Sequence, residues 1–203
     1  MSIPIIVLGA GGHTKVLIDS LLAADINVVG ITSINSHDIN NKVYGINIIG
    51  NDESISRYSP ESIRLVNGIG STGKIEKRQR LFDYFKERGY SFASVIHPSA
   101  VISPDVQLNE GVQVMAGTVI QTGSKIKKNT IINTKVSVDH DCVIGSHVHL
   151  APGVTISGGV QVADDVHIGA GATIIQEIRI GKKCLIGAGS LVLNDVKDGA
   201  TVF

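Results

Sequence analysis

A six-residue repeat of aliphatic side chains runs unbroken through the second half of this sequence. Every sixth residue from Ile96 to Val192 is Ile, Leu or Val, seventeen positions in a row, and Asp198 is the first to break the series. This period matches neither a helical turn of about 3.6 residues nor the two-residue alternation of a strand. It predicts a solenoid of very short strands and tight turns, in which each aliphatic side chain stacks on a counterpart one coil away.

The position two residues before each aliphatic is mostly small or β-branched, which suits the inside of a narrow core. Cys142 and Cys184, the only cysteines, both occupy this position. Two cysteines do not make a disulfide framework, and a cysteine at an inward position packs as a small apolar residue. We therefore expect two buried, free thiols.

The first half of the chain, residues 1–95, alternates strand-like and helix-like stretches instead. The apolar run PIIVLGAGG ends in glycines and is followed by HTKVLIDSLLAAD, whose apolar residues fall on one helical stripe. Later, IRLVNGIG precedes the charged helical stretch IEKRQRLFDYFKERG. Alternating strands and helices predict a small Rossmann-like α/β domain with a parallel sheet over residues 1–95. The solenoid of short strands then takes up residues 96–203.

Charge and hydropathy exclude several partners. The net charge is +0, from 18 basic and 18 acidic residues, and no long basic block occurs. Nucleic acid and anionic membrane surfaces are therefore not expected as partners. No apolar run approaches the roughly 20 residues of a membrane helix. The N-terminus MSIPIIVLGAGGH lacks a basic leader segment, so we interpret it as the first strand of a cytoplasmic protein.

The first glycine-rich turn, Gly9 to Thr14, lies between a predicted strand and a predicted helix. Backbone N–H groups at such a turn can hold a phosphate, which makes Gly11, Gly12 and His13 candidate ligand-binding residues. A dinucleotide fingerprint would require glycine at position 14 and an acid at the end of the second strand, where residues 30–35 contain none. NAD is therefore not expected, and two alternatives stay open: one nucleoside diphosphate, or a turn without a ligand.

A second glycine-rich turn, Asn67 to Ile75, also lies between a strand and a helix. Gly68 to Lys74 has the spacing of a P-loop, but Ile75 replaces the Ser or Thr that would hold magnesium, so ATP hydrolysis is not predicted. Two such turns at the carboxyl ends of neighbouring parallel strands face one crevice, where ligands of these sheets bind. Gly68 and Gly70 are therefore further candidates for binding the same ligand.

The strongest candidate for a catalytic residue in the repeat is His140. It lies at a corner between two strands, with Asp139 and Asp141 on either side. A carboxylate beside an imidazole fixes its tautomer and stabilises the imidazolium, which a general base requires. The alternative is an ordinary solvated corner.

Three of the four further histidines in the repeat, His147, His149 and His167, come after this corner in the sequence. His147 and His149 alternate along a predicted strand, so they can point the same way, and with His140 they give a zinc-like H-x6-H-x-H spacing. Because positions on successive faces of a coil diverge, no metal site is predicted. His167 has no acidic or histidine neighbour in sequence, so we expect it at the surface.

Three motifs resemble the NeuD/PglD-like sugar acyltransferases: GAGGHTK from Gly9, the turn from Asn67 to Lys74, and I-N-T-x5-H-D-C-V-I-G from Ile132 to Gly145. The resemblance covers essentially the whole chain. It implies a left-handed β-helix with three hexads per coil. It also implies that the N-terminal domain holds the UDP part of a UDP-linked amino sugar, although the acids usual after the second strand of that branch are absent here.

The same resemblance assigns roles in the site. It implies that His140 is the general base and Asp141 its partner, that Asn133, His149 and Gly158 lie at the acetyl-CoA end, and that no metal takes part. Gly158 or His149 would stabilise the oxyanion. The expected fold leaves much apolar solenoid surface exposed, and His140 and His149 fall on different faces of one coil. A homotrimer would bring such residues together from two chains.

The reaction that we expect is acetyl-CoA-dependent N-acetylation of a UDP-4-amino-4,6-dideoxy-GlcNAc type sugar, in the synthesis of a bacterial surface glycan or glycoprotein. Two alternatives stay open. One is O-acetylation of a sialic or legionaminic acid, with a hydroxyl acceptor and no UDP. The other is a non-catalytic nucleotide-binding protein built on a repeat scaffold.

Overall fold

The computed structural model describes residues 3–39, 41–71 and 76–203. They form two compact units. The first contains the described residues up to Gly70 together with residues 76–98, and the second contains Ser71 and residues 99–203.

The first unit is an α/β layer structure. Its sheet has the order β3-β4-β2-β1-β5 and is parallel except for the antiparallel pair β3 and β4. The elements in chain order are β1 (Ile5–Leu8), α1 (Gly12–Ala23), β2 (Val28–Thr32), β3 (Lys42–Val43), β4 (Ile46–Gly50), β5 (Arg64–Asn67), α2 (Glu76–Lys86) and β6 (Val95–Ile96), with short 3-10 helices at Ser36–Asp38 and Asp52–Arg57. The predicted α/β class is confirmed.

The first strand of this sheet, β1, is wholly apolar, as is typical of a parallel strand inside an α/β sheet. All four residues of β1 are buried. Phe82 of α2 is fully buried and stacks on Phe92 at 4.4 Å between ring centroids. Aromatic pairs of this kind prefer offset or edge-on geometry and stabilise a core beyond the area that they bury.

The second unit is a left-handed parallel β-helix made of two-residue strands. They are β7 (Val101–Ile102), β8 (Gln107–Leu108), β9 (Gln113–Val114), β10 (Val119–Ile120), β11 (Lys125–Ile126), β12 (Ile131–Ile132), β13 (Ser137–Val138), β14 (Val143–Ile144), β15 (His149–Leu150), β16 (Thr155–Ile156), β17 (Gln161–Val162), β18 (His167–Ile168), β19 (Thr173–Ile174), β20 (Arg179–Ile180), β21 (Leu185–Ile186), β22 (Leu191–Val192) and β23 (Thr201–Val202).

These strands form three parallel sheets. Their orders are β7-β10-β13-β16-β19-β22, then β8-β11-β14-β17-β20, and then β9-β12-β15-β18-β21-β23. Most partners lie eighteen residues apart, as in the pair Ile120 and Val138. One coil therefore holds three hexads, as the resemblance implied.

The aliphatic column explains why this unit folds. Each strand from β7 to β22 ends at a member of the column, and every member from Val114 to Val192 is at most 2% exposed. Aliphatic side chains of successive coils stack on one another and are removed from water along the whole axis of the β-helix. Burying one such side chain fully contributes roughly 1.5–3 kcal/mol to the free energy of unfolding.

The coil shortens where the column breaks. Ile186 pairs with Val202, sixteen residues later, and Ile180 forms a bridge to Val196, also sixteen residues later. Val196 therefore takes the place that the six-residue count gives to Asp198. The Asp198 carboxylate accepts the backbone N–H of Lys182 at 2.8 Å instead.

The two cysteines are buried and free, as predicted. Burial raises the pKa of both thiols, and the Cys142 thiol donates to the carbonyl of Ser157 at 3.2 Å. Neither is the exposed, low-pKa thiolate that a reactive cysteine needs. Among the described residues, no helix combines the length and the apolar character that spanning a bilayer requires.

Candidate active site

His140 and Asp141 form a hydrogen-bonded pair at the corner between β13 and β14. The Nδ1 atom of His140 lies 2.9 Å from Oδ2 of Asp141, and their side chains are 58% and 72% exposed. A carboxylate oxygen only accepts, so the proton of the neutral ring is on Nδ1. The lone pair of Nε2 is then available to take a proton from a substrate.

Two carboxylates act on this imidazole. The hydrogen bond that His140 donates to Asp141 raises the pKa of His140 above its ordinary value, and the charge of Asp139 raises it further. Asp139 also accepts the backbone N–H of His140 at 2.8 Å, which fixes the corner. The pair has the geometry of a general base and its orienting partner.

Glycines on the adjacent coils make room for this pair. A Cβ atom at Gly158 would lie 2.6 Å from Nε2 of His140. A Cβ at Gly123 would collide with Oδ1 of Asp141. The sequence interpretation included Gly158 but missed Gly123, and the signal that could have found it is its offset of one coil, eighteen residues, before Asp141.

The predicted acetyl-CoA residues Asn133 and His149 lie together, but on another sheet. The amide nitrogen Nδ2 of Asn133 is 3.1 Å from Nε2 of His149. His149 belongs to β15, which pairs with β12 and β18, whereas His140 follows β13 in the sheet of β10 and β16. Gly158 is the one member of the predicted cofactor set that the structure places beside His140.

His167 is half-buried and has a histidine partner, so the expectation of an isolated surface residue was wrong. It stacks edge-on against His149 with 5.0 Å between ring centroids, because the two residues pair across neighbouring coils. The hydroxyl of Ser71 lies 2.8 Å from Nδ1 of His149 and 3.1 Å from Nδ1 of His167. The contact between His149 and His167 cannot be seen from neighbours in the sequence, but it follows from the eighteen-residue length of one coil.

His147 lies outside the two-residue strand that contains His149, contrary to the strand alternation inferred from the sequence. It occupies a turn with φ of 58°, and its Nδ1 is 2.9 Å from the amide nitrogen of Asn129. Within residues 3–39, 41–71 and 76–203, no three His, Cys, Asp or Glu side chains are grouped to hold a metal ion.

The first glycine turn leaves a helix start without a cap. Gly11 is the N-cap of α1, no side chain caps it, and the first turn of α1 contains no acid. A Cβ at Gly11 or Gly12 would meet nothing within 4 Å, so the approach to these N–H groups is open. An uncapped helix N-terminus favours an anion.

The two glycine turns are joined within the first unit. The Thr14 hydroxyl is 2.6 Å from the Gly9 carbonyl oxygen and 3.2 Å from that of Gly68, and the ring of His13 lies against Gly70. Buried Arg78, whose pKa burial lowers to about 9, donates to the carbonyls of Asn67 and Ile69. The rest of the P-loop-like spacing, residues 72–75, lies outside the described residues.

A cleft of about 410 Å³ opens beside the first turn, and its lining includes Ala10, Lys15, Asp38 and Tyr44. The fold brings carboxylates to the end of β2 that the sequence does not show there. The hydroxyl of Ser33 donates to Asp38 at 2.6 Å, and the hydroxyl of Thr32 donates to Asp52. Both acids come from the short 3-10 helices.

Comparison with known proteins places this arrangement in a family. Residues 4–85 match the PglD N-terminal domain, and residues 123–158 match the bacterial transferase hexapeptide (six repeats). Perosamine N-acetyltransferase from Caulobacter crescentus, in a histidine-to-asparagine variant with CoA and GDP-perosamine, is 36% identical with a TM-score of 0.89, over 98% of this chain and 92% of that one. This chain belongs to the NeuD/PglD-like sugar acyltransferases.

Other solved structures are similar to this chain over nearly its whole length. The acetyltransferase domain of PglB from Neisseria gonorrhoeae is 31% identical with a TM-score of 0.90, over 98% of this chain and 96% of that one. The same domain is known in complex with acetyl coenzyme A. WeeI from Acinetobacter baumannii is 25% identical with a TM-score of 0.86, over 98% of this chain and 96% of that one. The chain is accordingly an acyltransferase of this family.

Proposed function

We propose that this acyltransferase moves the acetyl group of acetyl-CoA to the amino group of a nucleotide-linked amino sugar, for a bacterial surface glycan or glycoprotein. The observation that carries the proposal is the His140–Asp141 pair. The carboxylate of Asp141 accepts the hydrogen of His140 Nδ1, which leaves a lone pair on Nε2. Gly158 has no side chain to occupy the space beside Nε2. Relatives of the same fold include a sugar N-acetyltransferase and a domain that binds acetyl coenzyme A.

In this mechanism the sugar amine attacks the thioester carbonyl while Nε2 of His140 takes the proton that the amine loses. The C–N bond forms, the C–S bond breaks, and CoA leaves as the thiolate. Asp141 stabilises the imidazolium that results. Base catalysis of this type is typically worth about 10²–10⁴-fold in rate. The Gly158 backbone, which no side chain screens, can approach the thioester closely.

The first unit is proposed to bind the nucleotide. The N–H groups of Gly11, Gly12 and His13 would hold the diphosphate, with Gly68 and Gly70 forming the adjacent turn. Lys15 lines the cleft and supplies a positive charge near this helix start. Asp38 lines the same cleft. Its carboxylate can accept an N–H of a uracil or of a guanine.

The nucleotide has two candidates. The sequence resemblance implies a UDP sugar, of the UDP-4-amino-4,6-dideoxy-GlcNAc type. The perosamine enzyme binds a GDP sugar, and it is 36% identical to this chain. Both sugars offer an amine as the acceptor, so the chemistry at His140 is the same for either.

The active assembly is proposed to be a homotrimer. In one chain, Asn133 and His149 lie on a different sheet from the strand that precedes His140. A single acetyl-CoA can meet both groups if neighbouring subunits each supply one of them, and cyclic symmetry repeats such an interface around the trimer.

The test is release of free CoA from acetyl-CoA with four acceptors in parallel: UDP-4-amino-4,6-dideoxy-GlcNAc, GDP-perosamine, free sialic acids and CMP-sialic acid. We expect turnover with one of the two nucleotide amino sugars, and a product that survives mild alkali as an amide does. The His140→Ala variant is the control for uncatalysed acetyl transfer. Turnover with the sialic acids alone, giving an alkali-labile ester, would reject N-acetylation in favour of the O-acetyl alternative.

A further inference from the structure

The hydrogen bonds of His149 identify which of its two nitrogens carries the proton. The backbone oxygen of Ser71 lies 3.1 Å from Nδ1, and a carbonyl oxygen only accepts, so Nδ1 carries a hydrogen. The Nδ2 amide of Asn133 lies 3.1 Å from Nε2, and an amide nitrogen only donates, so Nε2 does not. Two independent contacts therefore specify the same neutral tautomer.

The orientation of the Asn133 amide is itself fixed. Its Oδ1 atom accepts the backbone N–H of Thr134 at 2.8 Å. Flipping the amide would turn two donors toward each other at that contact, so Nδ2 has to face His149. One Nδ2 hydrogen is used by His149, and the second has no acceptor among the described residues. Asn133 is half-buried, so this hydrogen can reach a ligand from outside the core.

Ser71 and His167 support this arrangement from the other side of the ring. The hydroxyl of Ser71 lies 2.8 Å from Nδ1 of His149, where it accepts, and 3.1 Å from Nδ1 of His167, to which it can then donate. His149 is 6% exposed, so its ring is held by these contacts rather than by water. Burial lowers the pKa of His167 and so favours the neutral ring that such a contact requires.

We infer that Ser71 and Asn133 lock His149 as the neutral Nδ1–H tautomer, and that the free N–H of Asn133, not the ring of His149, donates to the thioester oxygen of acetyl-CoA. This inference rests on the proposed function for the identity of the ligand. Asn133 is then a catalytic residue, because it contacts the oxygen that becomes negative. His149 is a positioning residue, and Ser71 and His167 hold it in place.

The tautomer is tested without any substrate. In full-length protein with ¹⁵N-labelled histidine rings, long-range ¹H–¹⁵N NMR spectra distinguish a protonated Nδ1 from a protonated Nε2, and the His149→Gln variant assigns the signal. We expect protonation at Nδ1 alone near neutral pH. A His149 ring protonated at Nε2 overturns the inference, whatever the enzyme acetylates.

Steady-state kinetics test whether Asn133 is the donor and His149 only positions it. The acceptor is the sugar that gives turnover in the CoA-release assay. Gln at position 149 places an amide oxygen near the site of Nε2, so His149→Gln should retain most of kcat and keep the pH profile. His149→Leu, which removes the acceptor, and Asn133→Ala should each lower kcat by ten-fold or more. Asn133→Asp keeps the shape of the side chain but removes its N–H donors, so it should lower kcat as much as Asn133→Ala does. A His149→Gln variant as impaired as Asn133→Ala, with an unchanged melting temperature, overturns the assignment.

Discussion

At the scale of single residues, the proposed chemistry depends on how Asp141 sets the protonation of His140. Because the carboxylate raises the pKa of His140, the base loses its activity as the pH falls through a value above the ordinary histidine pKa of about 6.5. The rise of kcat/KM with pH should therefore lie above that value in the wild-type enzyme. In Asp141→Asn the charge is gone, so the rise should move to lower pH while the plateau falls.

His140→Ala should remove this rise and lower kcat by two or more orders of magnitude. Its melting temperature should change little, since the side chain is 58% exposed and packs in no core. The His140→Ala profile also corrects for titration of the acceptor amine. Near-normal turnover by this variant at neutral pH would contradict the assignment of a general base.

At Gly123 the absence of a Cβ atom allows the Asp141 carboxylate to take its position beside His140. A Cβ there would collide with Oδ1 of Asp141, and Gly123 has φ of 74°. We predict that Gly123→Ala displaces the carboxylate from His140, lowers kcat and shifts the pH profile downward as Asp141→Asn does. Gly189→Ala is the matched control, because its φ is 71° but no atom lies within 4 Å of the added Cβ.

Backbone strain should lower the melting temperature of both glycine variants by similar amounts. The change in kcat and the shift in pH profile should occur in Gly123→Ala alone. Equal kinetic losses in the two variants would mean that strain, and not the position of Asp141, sets the rate.

The residue pairs that could be predicted from the sequence are those that lie side by side in it. His140 and Asp141 adjoin, so their hydrogen bond follows from the corner position. The contacts of Gly123 with Asp141 and of His149 with His167 span one coil. They require the coil length, which came from the family resemblance and not from the six-residue period.

At the scale of elements, the solenoid of short strands was predictable because its signal is local and repeated. Its last coil was not, since a coil shortened by two residues lets Val196 and Val202 continue the column beyond Asp198. In the first unit the sequence indicated the sheet and the glycine turn but not Asp38 at the end of β2. That carboxylate reaches Ser33 through a short 3-10 helix, whose path no periodicity specifies.

The start of α1 gives a prediction about substrate binding. Gly11 has ordinary extended angles, φ of −80° and ψ of −174°, and open space where a side chain would go. Gly11→Val should therefore fold normally, obstruct the approach of a diphosphate and raise the KM of the sugar nucleotide, leaving the KM of acetyl-CoA nearly unchanged. Asp19→Val, on the exposed side of the same helix, is the control. A selective rise in the KM of acetyl-CoA would place the two substrates the other way round.

At the scale of the whole molecule, the proposed trimer follows from a division within the second unit. His140 follows the sheet that contains β13, and Asn133 follows the sheet that contains β12. If each active site takes His140 from one subunit and Asn133 from its neighbour, two inactive variants carry complementary defects. A chain with His140→Ala still supplies Asn133, and a chain with Asn133→Ala still supplies His140.

Mixing the two variants therefore tests the assembly directly. Each variant alone should be nearly inactive, because every site of its trimer has the same defect. When the differently tagged chains are unfolded together and refolded at equal concentration, about one site in four receives both intact residues by chance, so about a quarter of the wild-type kcat should return. The unmixed variants, refolded separately and then combined, control for residual activity. If the co-refolded, size-verified oligomer regains nothing, His140 and Asn133 serve the same site from one chain, and the shared-site geometry is wrong.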